Sequence, residues 1–211
     1  MSQDREFMSG VVKNLPEVDD ELKLYWIANP AKLQASLSVL ARFPTPEWKV
    51  WKTIRKGTLK NQDNMSKEFQ EQGCQVSEWA NDMMSKPGFS FSLTDEDVDL
   101  VKVSTCELGF IRGATRKQIY ERALQFGLEL CVPDDGPELR KQYKDQPLNE
   151  WLLIGMKPIL HSGGDLCVFL VGRDSHGLWL GSDDDGPGCV WRADSVWVFR
   201  LPRKCQKPSG S

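Results

Sequence analysis

Four apolar runs decide how this chain folds: WLLIGM (151–156), LCVFLV (166–171), LWL (178–180) and VWVFRL (196–201). The segments between them are rich in Gly, Ser, Asp and Pro. Short apolar runs bounded by such breakers read as β-strands joined by turns, so residues 150–201 are expected to form an antiparallel meander. A sheet with one face in water alternates apolar and polar side chains, whereas a sheet covered on both faces carries unbroken apolar strands. Trp151-Leu152-Leu153-Ile154 and Leu166-Cys167-Val168-Phe169-Leu170-Val171 are unbroken. These strands need cover on both sides, from the helices upstream or from a partner chain.

The preceding 150 residues contain candidates for that cover. Thr115-Arg116-Lys117-Gln118 is a capping box; its helix buries Ile119, Ala123 and Phe126 and stops at Gly127. Residues 128–131 read as a short strand, Pro133-Asp134-Asp135-Gly136-Pro137 as a turn, and 138–143 as a helical turn. Residues 98–103 are β-formers, although Thr94 with Asp97 offers an alternative helix cap. A helix over 61–72 places Met65 and Phe69 on one face and closes at Gly73. A second, capped by Ser77, places Trp79 and Met83 on one face and ends before Pro87. Together these two have the outline of a helix-turn-helix, an outline that is commoner as plain structure. Asp20, Leu22, Tyr25 and Trp26 suggest a short helix. Asn29-Pro30 then opens another, with Leu33, Leu37 and Leu40 on one face, broken at Phe43-Pro44-Thr45-Pro46. The expected organisation is a helical segment over 1–46, an α+β domain over 47–201 and a flexible tail over 202–211. The fold class is α+β, a helical N-terminal part packed on a mainly antiparallel C-terminal sheet.

Composition narrows the function classes. A net charge of −3 argues against a strongly cationic surface, though not against a local patch. No run of about 18 apolar residues exists, so no membrane span is expected. MSQDREFMSG at the start is not a secretory leader, and a cytoplasmic location follows. The six cysteines are spread singly, without C-x-x-C or zinc-ligand spacing, and read as reduced structural thiols. No G-x-S-x-G, P-loop or dinucleotide fingerprint is present, so no cofactor is expected. The eight tryptophans read first as buried bulk.

The segments WKTIRKGT (51–58), SEWANDMMSKPGFS (77–90), ATRKQIYERALQFGLELC (114–131) and QYKDQPLNEWLLIGMKPI (142–159) resemble those of an uncharacterised family of small bacterial proteins. The likeness runs roughly over 48–201. It implies a compact single unit from a prokaryotic source and carries over no catalytic residue. Family-like proteins have Pro directly after the cysteine matching Cys131; here Val132 intervenes, which bears on the shape of that turn.

Three site hypotheses arise. Trp48, Lys49, Trp51, Lys52, Arg55, Lys56 and Lys60 form the most basic segment, and cations interleaved with aromatics can track a phosphate backbone and stack bases. The plainer reading is a short element with solvated lysines. His161 and His176 fall in successive turns of the meander, about 20 Å apart for a six-residue strand, which counts against a two-His metal centre. The long connection 181–195 should return to the end that holds His161. That end would collect His161, Asp165, Asp183, Asp184, Asp185 and Cys189, as raw material for a hydrolase-like nucleophilic site or a divalent cation. Against a cation, an EF-hand starting at Asp183 would want ligands where Pro187 and Asp194 stand, and Asp next to Gly-Pro-Gly usually makes a solvated turn. The leading expectation is a non-enzymatic binding module with a protein partner, tryptophans acting as anchors. Nucleic acid is the alternative partner and a hydrolase-like enzyme the second alternative. A homo-oligomer is the first idea to test if the 191–197 region is exposed.

Overall fold

The computed structural model describes residues 20–30, 46–184 and 188–203, and the chain divides into two compact units, Met1–Pro46 and Glu47–Ser211. In the first unit α1 (Asp20–Ala28) is helical as its sequence suggests, and the Asn29 amide donates to the Tyr25 carbonyl at 2.9 Å. The helix expected over Leu33, Leu37 and Leu40, and the tail from residue 204 onward, lie outside the described residues.

In chain order the second unit runs β1 (Lys52–Arg55), α2 (Gln62–Glu71), β2 (Cys74–Val76), α3 (Glu78–Met84), β3 (Asp97–Ser104), β4 (Ala114–Thr115) and α4 (Arg116–Gln125). It continues with α5 (Asp135–Gln142), β5 (Trp151–Ile154), β6 (Ile159–Leu160), β7 (Leu166–Asp174), β8 (Gly177–Asp184), β9 (Val190–Trp191) and β10 (Val196–Arg200). One mostly antiparallel sheet is ordered β1-β3-β10-β5-β7-β8-β2, with β6 added to β7; β4 and β9 form a separate pair. The helices and this dominant sheet make a mixed α/β protein.

The meander holds for β5, β7 and β8 and then fails. β10 does not return beside β8; it lies parallel to β5, between β5 and β3. The reason is burial. Trp197, Val198 and Phe199 are fully buried, and a strand apolar on both faces belongs in the middle of a sheet, not at its edge. The detour through β9, which pairs with β4, carries the chain across. A second correction concerns the presumed helix-turn-helix. β2 separates α2 from α3 and pairs in parallel with the Leu178-Trp179-Leu180 stretch of β8, so the two helices are not a hairpin. Ser77 caps α3 as its sequence indicates, Asn61 caps α2, and Gly73 after α2 takes φ +64°. Met83 is buried, but Trp79 is half-exposed and lies off the core face of α3.

α4 covers one face of the sheet. Its capping box at Thr115 and Gln118 is formed, Ile119 and Ala123 are buried, and Tyr120 meets Trp197 and Phe199 edge-on at 5.7 and 5.9 Å. Residues 128–131 make only two isolated bridges, Glu129 to Arg200 and Cys131 to Met156.

α5 packs against β7 and β8, and it was not legible as a helix at its start. The stretch read as a turn, 133–137, is the beginning of α5. Pro137 falls in the first turn, where a backbone N–H is not needed. Gly136 lets the helix approach β7: a Cβ there would stand 3.0 Å from that of Phe169. Despite its polar sequence, Asp135 through Arg140 is buried. Glu138 accepts from the Thr58 and Leu59 amides at 2.8 and 2.9 Å, and from the Thr58 hydroxyl. Asp135 takes a bidentate pair from Arg200 at 2.6 and 2.8 Å and the Val132 amide at 2.9 Å. Buried Lys56 meets Asp134 at 3.0 Å.

Glu138→Ala would strand the buried Leu59 amide and the half-buried amide and hydroxyl of Thr58. Each buried unsatisfied group costs about 1–3 kcal/mol, so a loss of at least ~3 kcal/mol in unfolding free energy is expected by chemical denaturation. A change below about 1 kcal/mol would show that these bonds do not matter.

Candidate functional site

The register of the sheet builds a cleft. Trp197, Leu153, Leu170 and Gly181 form one cross-strand row over β10, β5, β7 and β8; Trp151, Gly172 and Trp179 form a parallel row two residues along. At the β10 end the row lies under Tyr120 and Trp191, whose ring meets that of Trp197 at 5.0 Å. Between β5, β7 and the chain leading into β10 a cleft of about 710 Å³ opens, lined by Trp151, Leu153, Leu170, Trp191 and Val196 with polar groups at its rim. Trp151 lies across Gly172, so closely that a Cβ on that glycine would fall 2.0 Å from the indole. One ring face thus rests on backbone, and the side chain remains 41% exposed.

The chain between α5 and β5 sets the position of this ring. The Gln146 amide donates to the carbonyls of Glu150 and Val171, both at 3.1 Å, and Arg173 donates to the Gln146 carbonyl at 2.7 Å. The Asn149 amide donates to the Arg173 carbonyl at 2.7 Å, and Asn149 takes φ +64°, a conformation Asn tolerates better than most residues. From below, the Arg140 guanidinium donates to the Gly172 carbonyl at 3.1 Å and to the Gln146 side chain. Two buried side chains therefore hold both halves of the Trp151–Gly172 pair.

The polar lining of the cleft includes three carboxylates, Glu150, Asp183 and Asp194, and no cation. Glu150 accepts from Lys102 at 2.7 Å and from the Tyr143 hydroxyl at 2.8 Å; burial, and then this carboxylate, push the Tyr143 phenol well above its ordinary range. Asp194 is held below the usual carboxylate range by Arg192, whose guanidinium donates to it at 2.9 and 3.0 Å.

His161 belongs to a different cavity, of about 480 Å³, beside α3 and β6. The imidazole is buried against the Trp79 indole, ring centres 4.4 Å apart, and its Nδ1 accepts from the Gly163 amide at 2.8 Å. Nδ1 as acceptor leaves Nε2, 3.8 Å from the Asp165 carboxylate, to carry the proton of the neutral ring. Next to it, Asp82 accepts from the Ser162 amide at 2.6 Å, from its hydroxyl at 2.8 Å and from Lys86 at 2.8 Å, and Lys86 also reaches the Ser162 hydroxyl. A serine hydroxyl that accepts from an ammonium and donates to a carboxylate is a structural tie, not an activated nucleophile.

The other sequence candidates are dispersed. Asp183 faces the first cleft; Asp184 pairs in register with Cys167; Asp185 lies outside the described residues; Cys189 is exposed just ahead of β9. The nine-residue β7 separates His161, at its start, from His176, at its end. No group of three His, Cys, Asp or Glu suited to a metal occurs among the described residues. In the basic segment, Lys56 is buried on Asp134, Arg55 pairs with Asp95 at 2.5 Å and Asp97 at 3.1 Å, and Lys52 sits 4.7 Å over the Tyr143 ring. Trp48 donates to the Phe126 carbonyl at 3.1 Å, and Trp51 packs edge-on to Tyr143 at 5.1 Å. Lys49 and Lys60 are exposed. The 191–197 region is not an exposed patch, because Trp191 and Trp197 are buried. Among the described residues no helix is long and apolar enough to cross a membrane.

Sequence reasoning missed Trp151 as a surface group, because its run reads as wholly buried. It also missed Asp82 and Lys86, whose partner Ser162 is far away in the chain. A glycine inside an apolar strand, Gly172, was the available signal: such a glycine marks close approach of another group.

The Asp82 tie yields a pH prediction. Lys86 and then Ser162 hold this carboxyl down to about 2, from the ordinary 3.8. A depressed folded value means a contribution present above 3.8 and lost as pH falls through about 2. The stability gap between the wild type and Asp82→Asn, read from urea midpoints, should therefore stay constant from neutral pH to about 4 and close by about pH 2. A gap that does not change with pH would contradict the assignment.

No family model matches this chain, and no curated protein or solved structure matches it either.

Proposed function

We propose that this chain is a non-enzymatic binding module and that the Trp151 cleft is its contact surface for a protein partner. One observation carries the reading: an indole fixed on bare backbone, its other side open to a cleft. Amphipathic aromatic rings held rigid in this way lose little entropy on binding and serve as interface anchors. The bland account is that Trp151 simply shields Gly172, as aromatic residues do across strand pairs. Shielding explains the contact with the glycine but not the cleft alongside it. The titratable groups near the cleft are engaged in orienting the chain, Glu150 with Lys102 and Tyr143 above all, which favours recognition over catalysis. The nucleic-acid reading draws less support, since Lys52, Arg55 and Lys56 are taken up by carboxylates and an aromatic ring.

A photo-crosslinking side chain placed at position 195, in the cleft lining, should give a discrete adduct in the cell that makes the protein. The same group at position 93, where Leu93 is 80% exposed outside the cleft lining, should not. Adding Gly172→Ala, which displaces the indole without removing it, should reduce the adduct at least several-fold. Equal adducts at both positions, or an adduct indifferent to Gly172→Ala, would overturn the proposal.

A further inference from the structure

Resting on that reading of the cleft, we infer that the partner docks an uncharged, proline-rich segment in the polyproline II conformation, with a proline ring on the Trp151 indole and a backbone carbonyl accepting from its Nε1–H. What the cleft leaves unused selects this occupant. Its charges are already engaged inside the chain. Glu150 is tied to Lys102 at 2.7 Å and to Tyr143 at 2.8 Å, Asp194 pairs with Arg192 at 2.9 Å, and Asp183 also interacts within the fold. Nothing in the lining calls for a charged side chain. The groups that remain are neutral. The Trp151 indole N–H, the Asn149 carboxamide and the Ser195 hydroxyl belong to the lining, and none has a hydrogen-bond partner among the described residues. The indole atoms closest to a Cβ on Gly172 are Cε3, Cζ3 and Cδ2, on the edge away from Nε1. The contact that fixes the ring therefore does not consume its donor.

The topology disfavours the other ways in which a chain segment docks. Strand addition needs a free strand edge, and the strands that supply Leu153, Leu170 and Val196 have none. β5 lies between β10 and β7, β7 between β5 and β8, and β10 between β3 and β5. A helix spends its backbone carbonyls on its own hydrogen bonds, so its backbone would cover the three neutral groups without meeting them. A polyproline II segment has no internal hydrogen bonds, and all its carbonyls stay available to outside donors. Its proline rings are apolar and suit an aromatic-lined groove. With φ fixed before binding, such a segment loses little freedom when it meets a ring that is itself already held.

The probes are three labelled peptides, each three copies of Leu-Pro-Pro-Ser, Leu-Ala-Ala-Ser or Leu-Pro-Pro-Arg, titrated by fluorescence anisotropy against the full chain. The Pro-Ser peptide should bind, and the Ala peptide roughly ten-fold more weakly. Replacing Ser by Arg should not tighten binding, and the Pro-Ser affinity should stay within about two-fold from about 50 to about 500 mM salt, since no charge pair forms. Trp151→Phe keeps an aromatic face without the N–H and should weaken the Pro-Ser peptide several-fold; Trp151→Ala should weaken it roughly ten-fold or more. Asn149→Gly, which keeps the φ of +64° accessible, and Ser195→Ala should each weaken it a few-fold. Circular dichroism of each variant separates loss of the site from loss of the fold. Equal binding of the Pro-Ser and Ala peptides, Pro-Ser binding indifferent to Trp151→Phe, or much tighter binding of the Arg peptide would overturn this occupant. So would failure of all three peptides. In each of these cases a position-195 adduct leaves the cleft standing as a contact surface, and its absence takes the cleft down as well.

Discussion

The carboxylate of Glu138, buried and holding the backbone amides of Thr58 and Leu59, fixes a polar helix in the middle of an apolar protein. α5 is the element around which the cover of β7 and β8 is organised, and it arrives there with two acids, an arginine and a proline. An ionised group inside a fold is tolerated only when its lone pairs or protons are met. Here both acids are met, Glu138 by chain following β1 and Asp135 by Arg200 at the end of β10, and Asp134 just before the helix is met by Lys56. These bonds link β1 and the carboxyl end of β10 to one helix. Such pairs add little net stability compared with apolar residues of the same shape. Their effect is that α5 fits in one orientation only.

Arg140 extends the same argument toward the cleft. It is fully buried, and the acceptors its Nη atoms use are the Gly172 and Tyr143 carbonyls and the Gln146 side chain, all neutral. Burial pulls its pKa down, and the Cys74 thiol alongside is pushed up, by burial first, with Arg140 acting in the opposite direction. A guanidinium solvated by carbonyls is a costly way to hold two strands in place, yet it reaches points a backbone ladder does not. Gly172 is held from below by Arg140 while Trp151 covers it from above. The rigidity of the indole thus traces back to a buried charge on the opposite side of β7.

Much of the fold could be read from local signals, and its failures have a common cause. The caps at Ser77 and Thr115 depend on residues three apart, and each forms as its sequence indicates. Strand β3 and the β7–β8 hairpin follow from apolar runs and turns. What could not be read depends on residues 40 to 100 positions apart. The insertion of β10 between β3 and β5 is decided by burial of both its faces, which the run VWVF announces without naming its neighbours. The start of α5 was hidden because Asp, Gly and Pro favour turns when exposed; only the partners Arg200, Lys56 and Thr58 make them helical and buried. The basic segment gave the opposite error: its cations look solvated in sequence, whereas Arg55 finds its acid on the neighbouring β3 and Lys56 at the start of α5. The candidate cleft was the least legible part, since its lining comes from segments far apart in the chain, 149–153, Leu170, Asp183 and 191–196.

The two cavities show why an exposed tryptophan alone does not make a contact surface. Trp79 is more exposed than Trp151, at 50% against 41%. Its ring, however, is spent on His161, and the turn it steadies is anchored again by Asp82 and Lys86 through Ser162. Asp82, Lys86 and Ser162 are bonded to one another there, so a ligand for these groups would have to break bonds to enter. At Trp151 the anchoring comes from behind, through Gly172, Gln146 and Arg140, and leaves the cleft side of the ring uncovered. A ring held from one side only is already immobilised before a partner arrives, so association need not order it. That asymmetry, more than exposed area, separates a side chain that completes a fold from one that offers a surface.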